Sequence, residues 1–252
     1  MWKAIKTLAG AALLGLASPA LAASGVEIPK QEWSFQGPFG TYDRAAMQRG
    51  LQVYKEVCAG CHSVGLLHYR NLADLGYTAD QIRAFAAENE VEDGPNGEGE
   101  MFMRPARASD RFVKPFPNDN AARAGNNGAL PPDLSLMAEA RVGGSNYLYA
   151  LLVGYTDPPA GSEVMDGMSY NKYFPGHQIG MPPPLSDEGV EYADGTKATV
   201  EQQAIDITTF LTWASEPNME ERKAMGLKVM LFLLVFTGLL IAVKRKIWAN
   251  VH

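Results

Sequence analysis

The residues in this 252-residue chain best equipped for chemistry are Cys58, Cys61 and His62, in the stretch VYKEVCAGCHSVG at 53–65. They include both cysteines of the chain, so no disulfide framework holds the fold, which must rest on a hydrophobic core. Thiols spaced C-x-x-C serve redox exchange, half of a zinc site, or thioether attachment of haem when histidine follows. A zinc site of the usual kind needs four protein ligands, and the other histidines, His68, His177 and His252, are scattered singly. A thioredoxin-like dithiol needs a βαβ setting, whereas the flanks here read as helix. Haem attachment remains. Two thiols at this spacing, on a chain turning after a helix, can add to the vinyl groups along one edge of the macrocycle. The next imidazole then falls under the iron as the proximal ligand.

A sixth ligand separates an electron carrier from a site that meets a small molecule: a distal methionine raises the potential and closes the iron. Of the eleven methionines, Met1 is removed with the leader, Met47 lies on the proximal helix, and Met225 and Met230 lie in a C-terminal apolar run. Met181 is favoured, in FPGHQIGMPPPLSDE, because three following prolines hold the chain extended and Gly176 and Gly180 permit close backbone approach. A gap-filling core methionine is the competing account. His177 is a rival ligand, and Met101 and Met103 are weaker ones beside an acidic, Gly-rich loop.

Positioning these groups falls to helices. TYDRAAMQRGLQVYKEVC, with Asp43 as candidate N-cap and Ala46, Leu51, Tyr54 and Val57 at helical intervals, predicts a helix ending in the motif. TVEQQAIDITTFLTWASEP predicts an amphipathic helix with Val200, Ala204, Ile207, Phe210, Leu211 and Ala214 on one face, packed on the first helix near the haem edge. DEGVEYADGT reads as a turn or short hairpin.

Both ends are apolar. Lys3, Lys6, LAGAALLGLA and SPALA, with Ala20 and Ala22 at A-x-A positions, predict a signal peptide over 1–22. Residues 225–243 predict a transmembrane helix, and the KRK at 244–246 places a short tail, 244–252, on the cytoplasmic side and an exported haem domain, 23–224, on the other. That domain holds 16 basic and 28 acidic residues, net −12, which argues against nucleic acid and for a basic partner. Six of the acids fall at 88–100, read as a solvated loop or as part of a docking surface, and 104–134 reads as ordered loop.

The set RGLQVYKEVCAGCHS, PPDLSLMAEAR, NYLYALLVGY, YFPGHQIGMPPPL and FLTWASEPNMEERKAMG, running into the apolar segment, resembles the cytochrome c1 family, the haem subunits of cytochrome bc1 complexes, from about Phe35 to the end. The resemblance implies a mostly α fold, a class I cytochrome c core with long loop insertions and one C-terminal transmembrane helix. It implies one covalently attached haem c carried by Cys58 and Cys61, with His62 and Met181 on the iron, Arg141 at a propionate, Tyr147 nearby, and Leu130, Pro131, Pro132 and Ile179 as apolar wall. It also implies electron transfer from a Rieske iron-sulfur protein to a cytochrome c acceptor, beside cytochrome b in a dimeric complex of the bacterial inner membrane, with the haem domain in the periplasm. No bond chemistry is expected of this chain alone. A free membrane-anchored electron shuttle, an oxidase haem subunit and an open-site haem sensor are the alternatives.

Overall fold

The computed structural model describes residues 26–250; the predicted signal peptide at 1–22 lies outside them. Helix α1 (Arg44–Val53) starts where expected, because the Asp43 carboxylate accepts from the Ala45 and Ala46 N–H groups left unpaired at the first turn. Its final turn widens into a π-helical turn, Tyr54–Cys58, so the C-x-x-C-H motif hangs from the end of α1. A 3-10 segment, Tyr69–Leu75, and α2 (Ala79–Ala87) follow.

The acidic stretch is more ordered than a solvated loop. Glu90–Asp93 forms β1, antiparallel to β2 (Phe102–Pro105) with Glu90 opposite Pro105, and the Asn96 side chain ties the turn by accepting from the Glu98 and Glu100 N–H groups. Two of its acids are already engaged, Glu88 with Lys55 and Asp93 with Arg104. Alternation of Val91 with charged neighbours fits a half-buried strand, a period the count of acids obscured. The stretch 104–134 is mostly loop, as expected, apart from the end of β2 and α3 (Asp119–Gly125). Two short helices follow, α4 (Met137–Ala140) and α5 (Gly144–Val153), then a small hairpin of β3 (Ser169–Tyr170) and β4 (Gln178–Ile179).

Helix α6 (Val200–Ser215), capped by Thr199, departs from expectation. It packs on α1, α4 and α5 at once, so its polar residues Gln203, Asp206, Thr208, Thr209 and Thr212 are buried with the apolar face. Local hydrogen bonds absorb much of that polarity: Thr209 and Thr212 donate to carbonyls four residues back, and Gln203 donates to Ser186 O and Ala198 O. Asp206, fully buried, receives both Arg49 Nε and a terminal guanidinium nitrogen at 2.9 Å. At the crossing with α1, Gly50 brings the helices together so closely that a Cβ there would lie 2.2 Å from Asp206 O. The 194–195 segment is a turn, with Gly195 in the left-handed region and its N–H donating to Tyr192 O.

Helix α7 (Met219–Ile247) is one continuous element, starting earlier than the predicted 225 and continuing through the basic cluster. Its apolar window has a mean hydropathy of 2.4 and none of it is buried against the domain, which is the pattern of a membrane-spanning helix. The first turns are tied to the body: Glu220 accepts from Tyr42 N–H and Arg44, and Tyr42 Oη donates to Glu216 O.

Candidate haem site

Cys58, Cys61 and His62 share one tight turn, in which the Cys61 and His62 N–H groups both donate to Cys58 O. The two cysteines are not joined in a disulfide. Burial pulls the His62 imidazole below its ordinary value, against the opposing pull of Pro132 O and Asp133, so the neutral ring is favoured. Its Nδ1–H donates to Pro132 O at 2.8 Å, which fixes the tautomer and leaves the Nε2 lone pair for a metal. The phenol of Tyr54, kept protonated by burial, donates to His62 O at 3.2 Å.

Pro132 is held by its neighbour. One Asp133 oxygen accepts from Ser63 Oγ at 2.7 Å and Gly65 N at 2.8 Å, the other from Ser135 N at 2.8 Å. Burial alone would raise that carboxyl, and these donors outweigh it and hold it below its usual range. The sequence reading took Pro132 as apolar wall and passed over Asp133.

The distal segment is positioned from the end of α5. Asn171, fully buried, donates to Leu151 O and accepts from the Tyr173 and Phe174 N–H groups, and Lys172 N–H donates to Gly154 O. Gly154 is required there, since a Cβ would lie 2.6 Å from the Tyr173 ring. Tyr155 Oη then donates to Met181 O at 3.2 Å, beside half-buried Met181. Pro182, Pro183 and Pro184 continue without helix. A Cβ on Gly180 would sit 3.3 Å from Ala129 Cβ, so the backbone just before Met181 runs against the same 129–133 segment that accepts from His62. Gly176 instead serves its own turn, with φ +79° and open space around it.

The rival ligands lie on the two hairpins. The His177 ring stacks on Tyr170 with centroids 5.7 Å apart, in the β3–β4 turn. Met101 and Met103 are more than half exposed at the β1–β2 hairpin. Arg141 follows α4 at the exposed Arg141–Gly144 turn, and its guanidinium has no hydrogen-bond partner among the described residues. It is close enough to buried Tyr147 for its charge to oppose the upward push of burial on that phenol. Pro131 and Ile179 are half-buried, while Leu66, Leu130 and Leu136, all in or beside the segments around His62, stay substantially exposed. Two cysteines at attachment spacing, an imidazole oriented through Nδ1, and the apolar side chains of Leu66, Leu130 and Leu136 around it fit a covalently held haem. Among the described residues no cluster of three or more His, Cys, Asp or Glu side chains is arranged for a metal ion.

A C-x-x-C-H turn closing a helix, in a mostly helical domain carried on one apolar C-terminal helix, defines a membrane-anchored c-type cytochrome. The Cytochrome C1 family model matches residues 33–251. The chain is 48% identical to the cytochrome b/c1 of Bradyrhizobium diazoefficiens over 97% of its own length but 39% of that protein, so it spans well under half of that relative. It is 49% identical to cytochrome c1 of Rhodospirillum rubrum, over 90% of this chain and 89% of that one. With the mitochondrial cytochrome c1-2 haem protein of Solanum tuberosum it shares 54% identity, over 86% and 84%. The chain belongs to the cytochrome c1 family.

Proposed function

We propose that this chain is the mono-haem electron-transfer subunit of a bc1-type complex. Cys58 and Cys61 provide the thioethers, His62 and Met181 the axial ligands, and Arg141, with Tyr147 beside it, the grip on a propionate. The observation that carries the reading is the His62 Nδ1–H to Pro132 O bond, which orients a neutral imidazole from a segment that also packs against Gly180, next to Met181. A haem bound here supplies one-electron exchange between ferric and ferrous iron.

The chain's own residues do the rest. The Asp133 brace limits tilting of the His62 ring, and Tyr155 with Asn171 fixes the backbone that presents the Met181 sulfur. Arg141 offers a planar fork with no acidic partner of its own, suited to a carboxylate that must stay ionised. Pro131, Leu130 and Ile179 exclude water from the ring edge. The leader at 1–22 exports the domain to the periplasm, the α7 segment crosses the bacterial inner membrane once, and the basic tail remains cytoplasmic. Cytochrome b and the Rieske protein are the neighbours within a dimeric complex, the latter as electron donor. The acceptor is a basic cytochrome c, drawn by an exported domain of net −12 through an attraction that salt screens.

The test is a reduced-minus-oxidised spectrum and redox titration of the membrane protein, wild type beside Met181→Leu, with and without carbon monoxide. A high-potential c-type spectrum indifferent to the gas, with a variant that drops in potential and binds it, supports the ligand set. Gas binding by the wild type, or an unchanged variant, overturns it.

A further inference from the structure

We propose that the turn at residues 36–39, Gln-Gly-Pro-Phe, is a second membrane contact of this chain, seating Phe39 in the lipid interface beside the point where α7 enters. The inference rests on the reading of α7 as a membrane span.

The argument is one of direction. Tyr42 N–H and Arg44 are bound to Glu220 on the first turn of α7. Gly40 O and Phe35 O are bound to the Lys223 ammonium, at 3.0 and 2.6 Å, three residues further along the helix. A rise of about 1.5 Å per residue puts Lys223 roughly 4.5 Å closer to the apolar run that begins at Met225. Traced backward from Arg44 to Gly40, the chain therefore descends α7 toward the membrane. It reverses beyond the Lys223 clasp and returns to buried Phe35 and Trp33. The two stems are held by one ammonium, and the reversal projects past it.

The turn is built and not slack. Thr41 N–H donates to Ser34 O, Gln36 N–H to Trp33 O and Gly40 N–H to Gly37 O. Gly37 has φ +71°, and a Cβ at Gly40 would lie 2.0 Å from Gln36 O. What this turn presents is Phe39, 78% exposed, while Trp33, Phe35 and Tyr42 around it are buried. No charged residue lies between Gln36 and Thr41. An aromatic ring held out on an uncharged tip, next to a spanning helix, fits the acyl–headgroup boundary, where aromatic side chains concentrate.

The experiment uses the full chain, haem attached, in its assembled complex in lipid nanodiscs, with single cysteines introduced at Phe39, Leu234 and Gly97 and nitroxide-labelled. Cys58 and Cys61, in thioether linkage, stay unlabelled. Gln36→Cys and Pro38→Cys report on the same turn if Phe39→Cys does not assemble. Collision of the nitroxide with oxygen and with a water-soluble nickel chelate reads depth. Oxygen favoured over nickel at 39, as at mid-span 234 and reversed at the hairpin tip 97, is the expected result. Nickel favoured at 39 with oxygen still favoured at 234 overturns the proposal and leaves the anchor intact. Nickel favoured at both means the anchor reading itself has failed. Shielding of 39 from both reagents assigns the turn to a neighbouring subunit instead of lipid, and also overturns the proposal.

Discussion

Replacing Gly50 by alanine sets two effects of opposite sign against each other, and the structure says which wins. Glycine inside a helix costs about 0.8–1 kcal/mol relative to alanine, so on propensity alone the variant gains stability. The new Cβ, however, would stand 2.2 Å from Asp206 O and 2.7 Å from Phe210 Cβ, where ordinary contact is roughly 3.5–4 Å. The obstacle is largely the backbone of α6, which is buried from Asp206 to Ala214 and backed by α4 and α5, so it cannot step away. Overpacking of that kind costs about 1–3 kcal/mol, and a clash this deep belongs at the upper end. The net expectation is a loss of about 2 kcal/mol. For a domain of this size it lowers Tm by roughly 4–8 °C. Thermal unfolding of the detergent-solubilised, haem-loaded chain, followed in the far ultraviolet, measures it, and Gly50→Val must fall further. Because α1 ends in the C-x-x-C-H turn, the same displacement should reach the haem as a shifted reduction potential. An alanine variant as stable as the parent, or more so, would refute the close crossing of α1 and α6.

The buried ion pair gives a second case. Asp206→Ala leaves Arg49 and Gln202 without the carboxylate they share, at a cost of about 3 kcal/mol, the low end for a broken buried pair because Arg49 keeps Asp194 at 2.8 Å. In urea titrations the double variant with Arg49→Ala should lose less than the sum of the two singles, and simple additivity counts against the pair. Glu220 supplies a pH dependence. The Arg44 hydrogen bond, aided by Tyr42 N–H and opposed by burial, holds its carboxyl below the usual 4.5. A depressed carboxyl contributes fully above that value and loses its contribution as pH falls through the folded-state value. The stability gap between wild type and Glu220→Gln, no more than about 1 kcal/mol for so exposed a pair, should be constant near neutrality and close below pH 4.5. A gap that persists in acid removes Glu220 as its source.

How much of this was legible in residues alone varies from element to element. Covalent attachment chemistry is local: two thiols and an imidazole within five positions fix their own geometry, so Cys58, Cys61 and His62 could be read without a fold. Helix α1 was legible for the same reason, since an N-cap and helical spacing act within a few residues. So was the α7 span, whose partner is solvent of another kind and not another part of the chain. The burial of α6 all round its crossing was not legible, because Asp206 is buried only through Arg49, 157 residues away, and Gln203 only where the 186–198 segment folds back over the helix start. The 88–100 hairpin was missed because strand pairing is a relation between two segments, and one segment's charge does not reveal it. Residue types and short spacings therefore determined what this protein can bind and that it carries one apolar anchor helix. The tertiary structure alone decided which carbonyl orients His62 and which loop lies against Gly180, next to Met181, because hydrogen bonds and packing between segments far apart in the chain are settled only when it closes on itself.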